Sequence, residues 1–97
     1  MKLNEIAARQ PTTVLVRYHS QYNGVDIFVN GREMTYGDDH RADQATDAMV
    51  DWAGQMCDED GVFQDDMTEL TAVFTHITKS AFGDDVVVSV EEDNIGS

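Results

Sequence analysis

Nineteen carboxylates, three histidines and one cysteine are the side chains of this chain best suited to acid–base, nucleophilic or metal chemistry. Their spacing decides which of these is open. His19, His40 and His76 fall in three separate segments, with no H-x-x-x-H or H-E-x-x-H spacing to set two imidazoles on one helix face for a metal. Cys57 precedes Asp58, Glu59 and Asp60, three negative charges that oppose a thiolate rather than activate one. Asp39, His40 and Asp43 can approach one another near a helix start, but a histidine there reads as a surface residue. The run from Cys57 to Glu69 has the outline of a calcium loop. With Gly61 at its sixth position, Asp58 and Asp60 take the third and fifth, yet Met56 and Met67 stand where the first Asp and the final bidentate Glu are required. Gly24, Gly31 and Gly37 punctuate turns and do not form a phosphate-cradling loop. Catalytic residues, a metal site and a cofactor motif are therefore not expected, and the chain reads as a non-enzyme.

What the residues do offer is a row of charge. Asp43, Asp47 and Asp51 recur every fourth residue, which on a helix sets them in one stripe with neighbouring Cβ atoms about 5–6 Å apart. The row lies beside the apolar face, so it is expected to point to solvent. Asp38 and Asp39 precede it, Asp58, Glu59 and Asp60 follow it, and Asp65, Asp66 and Glu69 open the next helix. Thirteen of the nineteen acids are Asp, whose short side chain holds its charge close to the backbone. A row of fixed negative charges is what a protein groove built for nucleic acid accepts. These eleven acids form the candidate partner-binding set, read as a DNA-mimic surface. The bland alternatives are a solvated helix face and a halophilic surface. The first lacks the basic counterparts that an ordinary face carries. The second should spread acid over every face, which does not happen here.

The elements that must position this row follow from periodicity. A short amphipathic helix over Leu3–Arg9 ends at Pro11. Thr13–Tyr18 is β-branched and aromatic, and Val25–Val29 alternates, so both read as strands. Asn30-Gly31 is the strongest hairpin signal in the chain, because both central residues of a type I′ turn need positive φ. Glu33–Tyr36 returns as a third strand. From Asp38 the period becomes helical: Asp38 or Asp39 can cap, and Ala45, Met49, Trp52, Ala53 and Met56 share a face. A second helix carries Phe63, Met67, Leu70, Phe74, Ile77 and Ala81, with Gly83 as its stop. Val86–Val90 is a possible fourth strand, and Glu91–Ser97 reads as a frayed acidic tail. The expected architecture is α+β: a small antiparallel sheet, a three-stranded meander with a possible C-terminal strand, packed against two main helices.

Length and charge limit the partners. At 97 residues the chain is expected to be one domain, 1–97, with one modest core. A single cysteine excludes an internal disulfide, and no apolar run approaches a membrane span or a signal peptide, so an intracellular location is expected. The net charge is −13. Residues 1–37 carry +1 and residues 38–97 carry −14, so all the excess lies in the last sixty residues. Such a surface repels nucleic acid and anionic lipid and suits a strongly basic protein.

The order of elements and the segments MKLNEI, DIFVNGREMTYGDD and DEDGVFQDDM resemble the small acidic anti-CRISPR proteins of phages and mobile elements. The Cas9-directed members share the element order, except for the terminal strand. The DNA mimics that bind type I surveillance complexes share the length and charge. The resemblance implies an inhibitor in the bacterial cytoplasm, a monomer or weak dimer, whose acidic face occupies the basic DNA-binding surface of a CRISPR ribonucleoprotein effector, type I favoured and Cas9 next. It implies Arg41 or Tyr36 as a non-phosphate specificity contact. Rival readings are an anti-restriction or other nuclease inhibitor, which shares the same features, and an immunity-type acidic module, in which Arg17 and Arg32 of the sheet would also bind.

Overall fold

The computed structural model describes residues 11–19, 24–57 and 67–93. The N-terminal helix expected over 3–9, Asn23 of the Asn23-Gly24 pair expected to turn the chain between the first two strands, the start of the second main helix at 63–66 and the tail beyond 93 lie outside the described residues. The order is β1 (Thr13–His19), β2 (Gly24–Val29), β3 (Arg32–Glu33), α1 (His40–Gln55), α2 (Met67–Phe82) and β4 (Val87–Glu92). This is an α+β fold: a four-stranded sheet in the order β3-β2-β1-β4 carrying two helices. Among the described residues no helix is long and apolar enough to cross a membrane.

The meander forms where its turn residues direct it. Asn30 (φ 52°) and Gly31 (φ 84°) both take positive φ, as a type I′ turn requires. Asn30 also fastens the turn to β1, its N–H donating to Thr13 O (2.8 Å) and its Oδ1 accepting from Thr13 N (2.9 Å). β3 is shorter than the sequence suggests. It pairs only Glu33 and Arg32 with Phe28 and Val29, Met34 N adds one bond to Ile27 O (2.8 Å), and the chain then turns away.

That early exit changes the sheet. The chain leaves β3 still near the end where β1 begins, and α1 and α2 return it to that end, where Val87 N donates to Thr12 O (2.8 Å). From there the last strand can only run beside β1 in the same direction. The sheet is therefore mixed rather than wholly antiparallel, with β4 parallel to β1 from Thr13↔Val87 to Tyr18↔Glu92. The strand also runs further than expected. Glu91 and Glu92 lie in the ladder and Asp93 N donates to Tyr18 O (2.8 Å), so the tail is ordered to at least Asp93.

The core lies between one sheet face and the helices. Val14, Val16 and Tyr18 of β1 and Ile27 of β2 meet Ala42, Ala45, Met49 and Ala53 of α1 and Leu70 and Phe74 of α2, all buried. Each fully buried large side chain stabilises the fold by about 1.5–3 kcal/mol. Phe74 sits at the centre, edge-on to Tyr18 (5.7 Å, 84°) and to Trp52 (6.1 Å, 74°). Three alanines on the inner stripe of α1 let that helix lie close to the sheet. Gly83 (φ 109°) ends α2 in the left-handed conformation that glycine takes without strain, its N–H donating to Lys79 O (2.8 Å).

Candidate functional site

The acid row of α1 is not uniform, and helix geometry says why. Four residues advance about 40° beyond a full turn and about 6 Å along the axis. A row at this spacing therefore drifts around the helix. The buried stripe is Ala42, Ala45, Met49 and Ala53. Asp43 lies on its flank toward the sheet edge, Asp47 lies opposite the core, and Asp51 has turned further round toward α2. Asp43 is accordingly half-buried, whereas Asp47 and Asp51 are exposed.

Three of the expected contact acids hold the start of the helix. Asp39 is the N-cap: its backbone is extended and its Oδ1 accepts from Arg41 N (2.9 Å). The Arg41 guanidinium grips the same carboxylate, Nη2 to Oδ2 at 2.9 Å and Nε to Oδ1 at 3.2 Å. These bonds hold the Asp39 carboxyl below its usual value, the Arg41 side chain contributing most, despite an opposing desolvation. Arg41 also lies over the Phe82 ring, 4.7 Å from its centroid. Asp38 Oδ2 accepts from Thr35 N (2.9 Å), closing the loop before the cap. Asp43 accepts from Gly37 N with both oxygens (3.0 and 3.3 Å). The row does not point wholly to solvent as expected, because Asp43 ties the loop between β3 and α1 to the helix. Gly37 needs φ 99° to present its N–H there, which a side chain would resist.

The outward acids have lighter duties. Asp51 accepts from Gln55 Nε2 at 3.2 Å on the surface. Glu69 is exposed in the first turn of α2, on the favourable side of the helix dipole. Asp58, Glu59, Asp60, Asp65 and Asp66 lie outside the described residues. Asp47, Asp51 and Glu69 are thus the exposed, helix-borne members of the candidate set that the structure describes. Of the two specificity contacts suggested by the resemblance, Arg41 is engaged with Asp39 and Phe82, while Tyr36 is 74% exposed.

A second charged cluster was not legible as one. On the far face of the sheet Arg17 Nε donates to Glu91 Oε1 (2.7 Å) and its guanidinium lies 5.1 Å from the centre of the Phe28 ring. Beside it His19, only 5% exposed, donates from Nε2 to Asp26 Oδ2 (2.7 Å), and its Nδ1 lies 3.2 Å from Asp93 Oδ2. These contacts tie β1 to β2 and to the end of β4. Only the parallel register of β4 brings Glu91 and Asp93 here, so reading 91–97 as a frayed tail hid them. Among the described residues no group of three or more His, Cys, Asp or Glu side chains is arranged to hold a metal ion.

Among the described residues, Tyr18 is a further buried titratable group. Its phenol is pushed up to about 12, chiefly by burial and then by the neighbouring Cys57 thiol. Cys57 donates from Sγ to Ala53 O (3.1 Å), a structural contact at the end of α1.

The chain matches no family model, no curated protein and no solved structure.

Proposed function

We propose that this protein is an inhibitor that presents its acidic face in place of a DNA backbone and so occupies the basic DNA-binding surface of a CRISPR–Cas effector. A type I surveillance complex is the first choice of target and Cas9 the second. The observation that supports this reading most is the outward face of α1. Asp47 and Asp51 stand about 6 Å apart along the helix axis, exposed, while two of the four cations described by the structure are spent elsewhere, Arg17 on Glu91 and Arg41 on Asp39. Duplex DNA offers a far denser row, one charge per about 1.7 Å of axis. The mimic therefore needs the neighbouring acids as well, among them Glu69 and those between 58 and 66.

The mechanism is competitive exclusion. The effector keeps its guide RNA, but the Lys/Arg surface through which it engages duplex DNA, at the protospacer-adjacent reader or along the target channel, is filled. A net charge of −13 steers the inhibitor to that surface and speeds association, most strongly at low salt. The rival immunity-type reading calls on Arg17 and Arg32; Arg17 is already paired with Glu91, while Arg32 is exposed in β3.

The test is capture from a bacterial lysate with an active CRISPR system, using the tagged protein and washes of rising salt. Recovery of a guide-loaded effector, released by salt and by excess target duplex, supports the proposal. Recovery of a restriction enzyme or another nuclease keeps the mimicry and replaces the target. If no nucleic-acid-binding protein is retained at low salt, the proposal fails.

A further inference from the structure

We infer that the cleft between the sheet edge and α1 receives an arginine side chain of the partner. The inference rests on the reading above for the basic character of that partner, and on the cleft itself for everything else. The cleft holds about 210 Å³ and opens between β2, the segment after β3 and the first half of α1. That volume admits one long side chain and not a folded element.

Its walls differ in kind. Val25, Ile27, Met34 and Ala42 are apolar, Asp43 and Thr46 are polar, Asp26 adds a second carboxylate already engaged by His19, and Tyr36 lies at the surface. Tyr36 is the most exposed large apolar side chain described, at 74%, yet its backbone is fixed on both sides: Thr35 N is bound by Asp38 and Gly37 N by Asp43. An aromatic ring held out on a fixed loop binds at little entropic cost, which is how interface anchors behave. The Asp43 carboxylate is oriented by Gly37 and retains acceptor capacity, since two carboxylate oxygens offer about four lone-pair sites.

The occupant follows from these walls. A carboxylate within a strongly negative protein selects a cation. An apolar wall suits a long aliphatic stem. A tyrosine and a carboxylate lining one cleft suit a planar guanidinium, which stacks and pairs at once, better than a compact ammonium. The protein already satisfies two of its own arginines in this way. Arg41 lies between Phe82 and Asp39, and Arg17 between Phe28 and Glu91. Tyr36 and Asp43 offer the same pair of groups turned toward a partner.

The probe is N-acetyl-arginine amide, titrated into ¹⁵N-labelled protein at low salt, with N-acetyl-lysine amide alongside. The inference expects saturable amide shifts at Tyr36, Gly37, Asp43 and Thr46, with weaker binding of the lysine compound. Tyr36→Ala, which removes an exposed side chain, should weaken arginine binding by about two- to fivefold. Asp43→Asn, which keeps an acceptor for Gly37 N, should weaken it further. Shifts centred on Asp47 and Asp51, equal binding of the lysine compound, or an unchanged Tyr36→Ala affinity would each overturn the inference. Capture of an effector with no arginine in the cleft sinks this inference alone. Arginine in the cleft with no nucleic-acid-binding protein captured sinks the DNA-mimic reading alone.

Discussion

Neutralising Asp47 and Asp51 together should stabilise the protein and weaken its hold on its partner, and the size of the first effect can be worked out. The row Asp43–Asp47–Asp51 contains two like-charge pairs at i, i+4, and the double variant Asp47→Asn with Asp51→Asn removes both. Each pair destabilises a helix by about 0.2–0.5 kcal/mol, so the gain is about 0.4–1 kcal/mol. Asp51 also lies close to the C-terminal end of α1, where the helix dipole disfavours an anion, and its removal adds in the same direction. The contact from Gln55 survives, because Asn keeps an oxygen to accept it. For a domain of this size, 1 kcal/mol moves Tm by about 4–8 °C, so Tm should rise by about 2–8 °C at low salt. The cause is repulsion between carboxylates whose Cβ atoms lie about 5–6 Å apart, those of Asp47 and Asp51 exposed and that of Asp43 half-buried. Salt at about 1 M, with a screening length near 3 Å, should therefore remove most of the gain. Thermal melts followed by circular dichroism at both salts, beside capture of the partner by each protein, make the test. A fall in Tm, or a rise that persists unchanged in high salt, refutes the account of the row as mutually repelling solvent-facing charge. Undiminished capture by the stabilised variant refutes its role as contact surface.

Two further outcomes follow from groups buried or engaged in the fold. The Tyr18 phenol, raised to about 12 against an unfolded value near 10, favours the fold in its neutral form. Its contribution is complete below pH 10 and is lost as pH climbs from 10 through 12. Phenolate absorbance should show one of the three tyrosines titrating late. Tyr18→Phe should abolish that late phase, whereas three phenols titrating together near 10 in the native state would disprove it. Asp39 is both cap and ion-pair partner, and its carboxyl is depressed, so its contribution is present above the ordinary value near 3.8 and lost as pH falls below it. Asp39→Ala should cost about 1 kcal/mol in urea unfolding. Asp39→Asn, which still caps, should cost less than half of that, since an exposed ion pair adds little. Equal losses would show that capping is not the main role.

Features legible in the sequence were those carried by neighbouring residues. Asn30-Gly31 specified its hairpin because an Asn-Gly pair readily accepts two positive φ angles in succession. The 3.6-residue spacing of Ala45, Met49 and Ala53, and of Leu70 and Phe74, specified two helices and their inner faces. The direction of β4 was not legible, because it depends on where β3 stops, and a run such as Glu33–Tyr36 looks like strand until a loop claims it. Asp38 and Asp43 divert that loop by binding Thr35 N and Gly37 N, contacts made across three and six residues that no periodicity announces. The pairing of Arg17 with Glu91, 74 residues apart, and the burial of His19 between Asp26 and Asp93 depend in turn on the direction of β4.

The candidate acids therefore divide by duty. Asp38, Asp39 and Asp43 each accept backbone N–H groups that would otherwise be left to solvent in the loop or the first turn, so a carboxylate or a close substitute is favoured there by the fold alone. Asp47 serves no such group among the described residues, and Asp51 only a surface amide. On grounds of stability a lysine four residues after Asp43 or Asp47 would be better than a second and third aspartate. A pair such as Asp47 and Asp51, which lowers stability without satisfying any described backbone group, is the pattern expected where binding, rather than folding, dictates the residue. The same reasoning assigns different weights within the proposed partner-facing surface. Asp43, oriented by Gly37 and lining one cleft with Tyr36, is the member suited to discriminate the shape of an incoming cation. Asp47 and Asp51, exposed on the outer face, are suited to attract one but do little to select it.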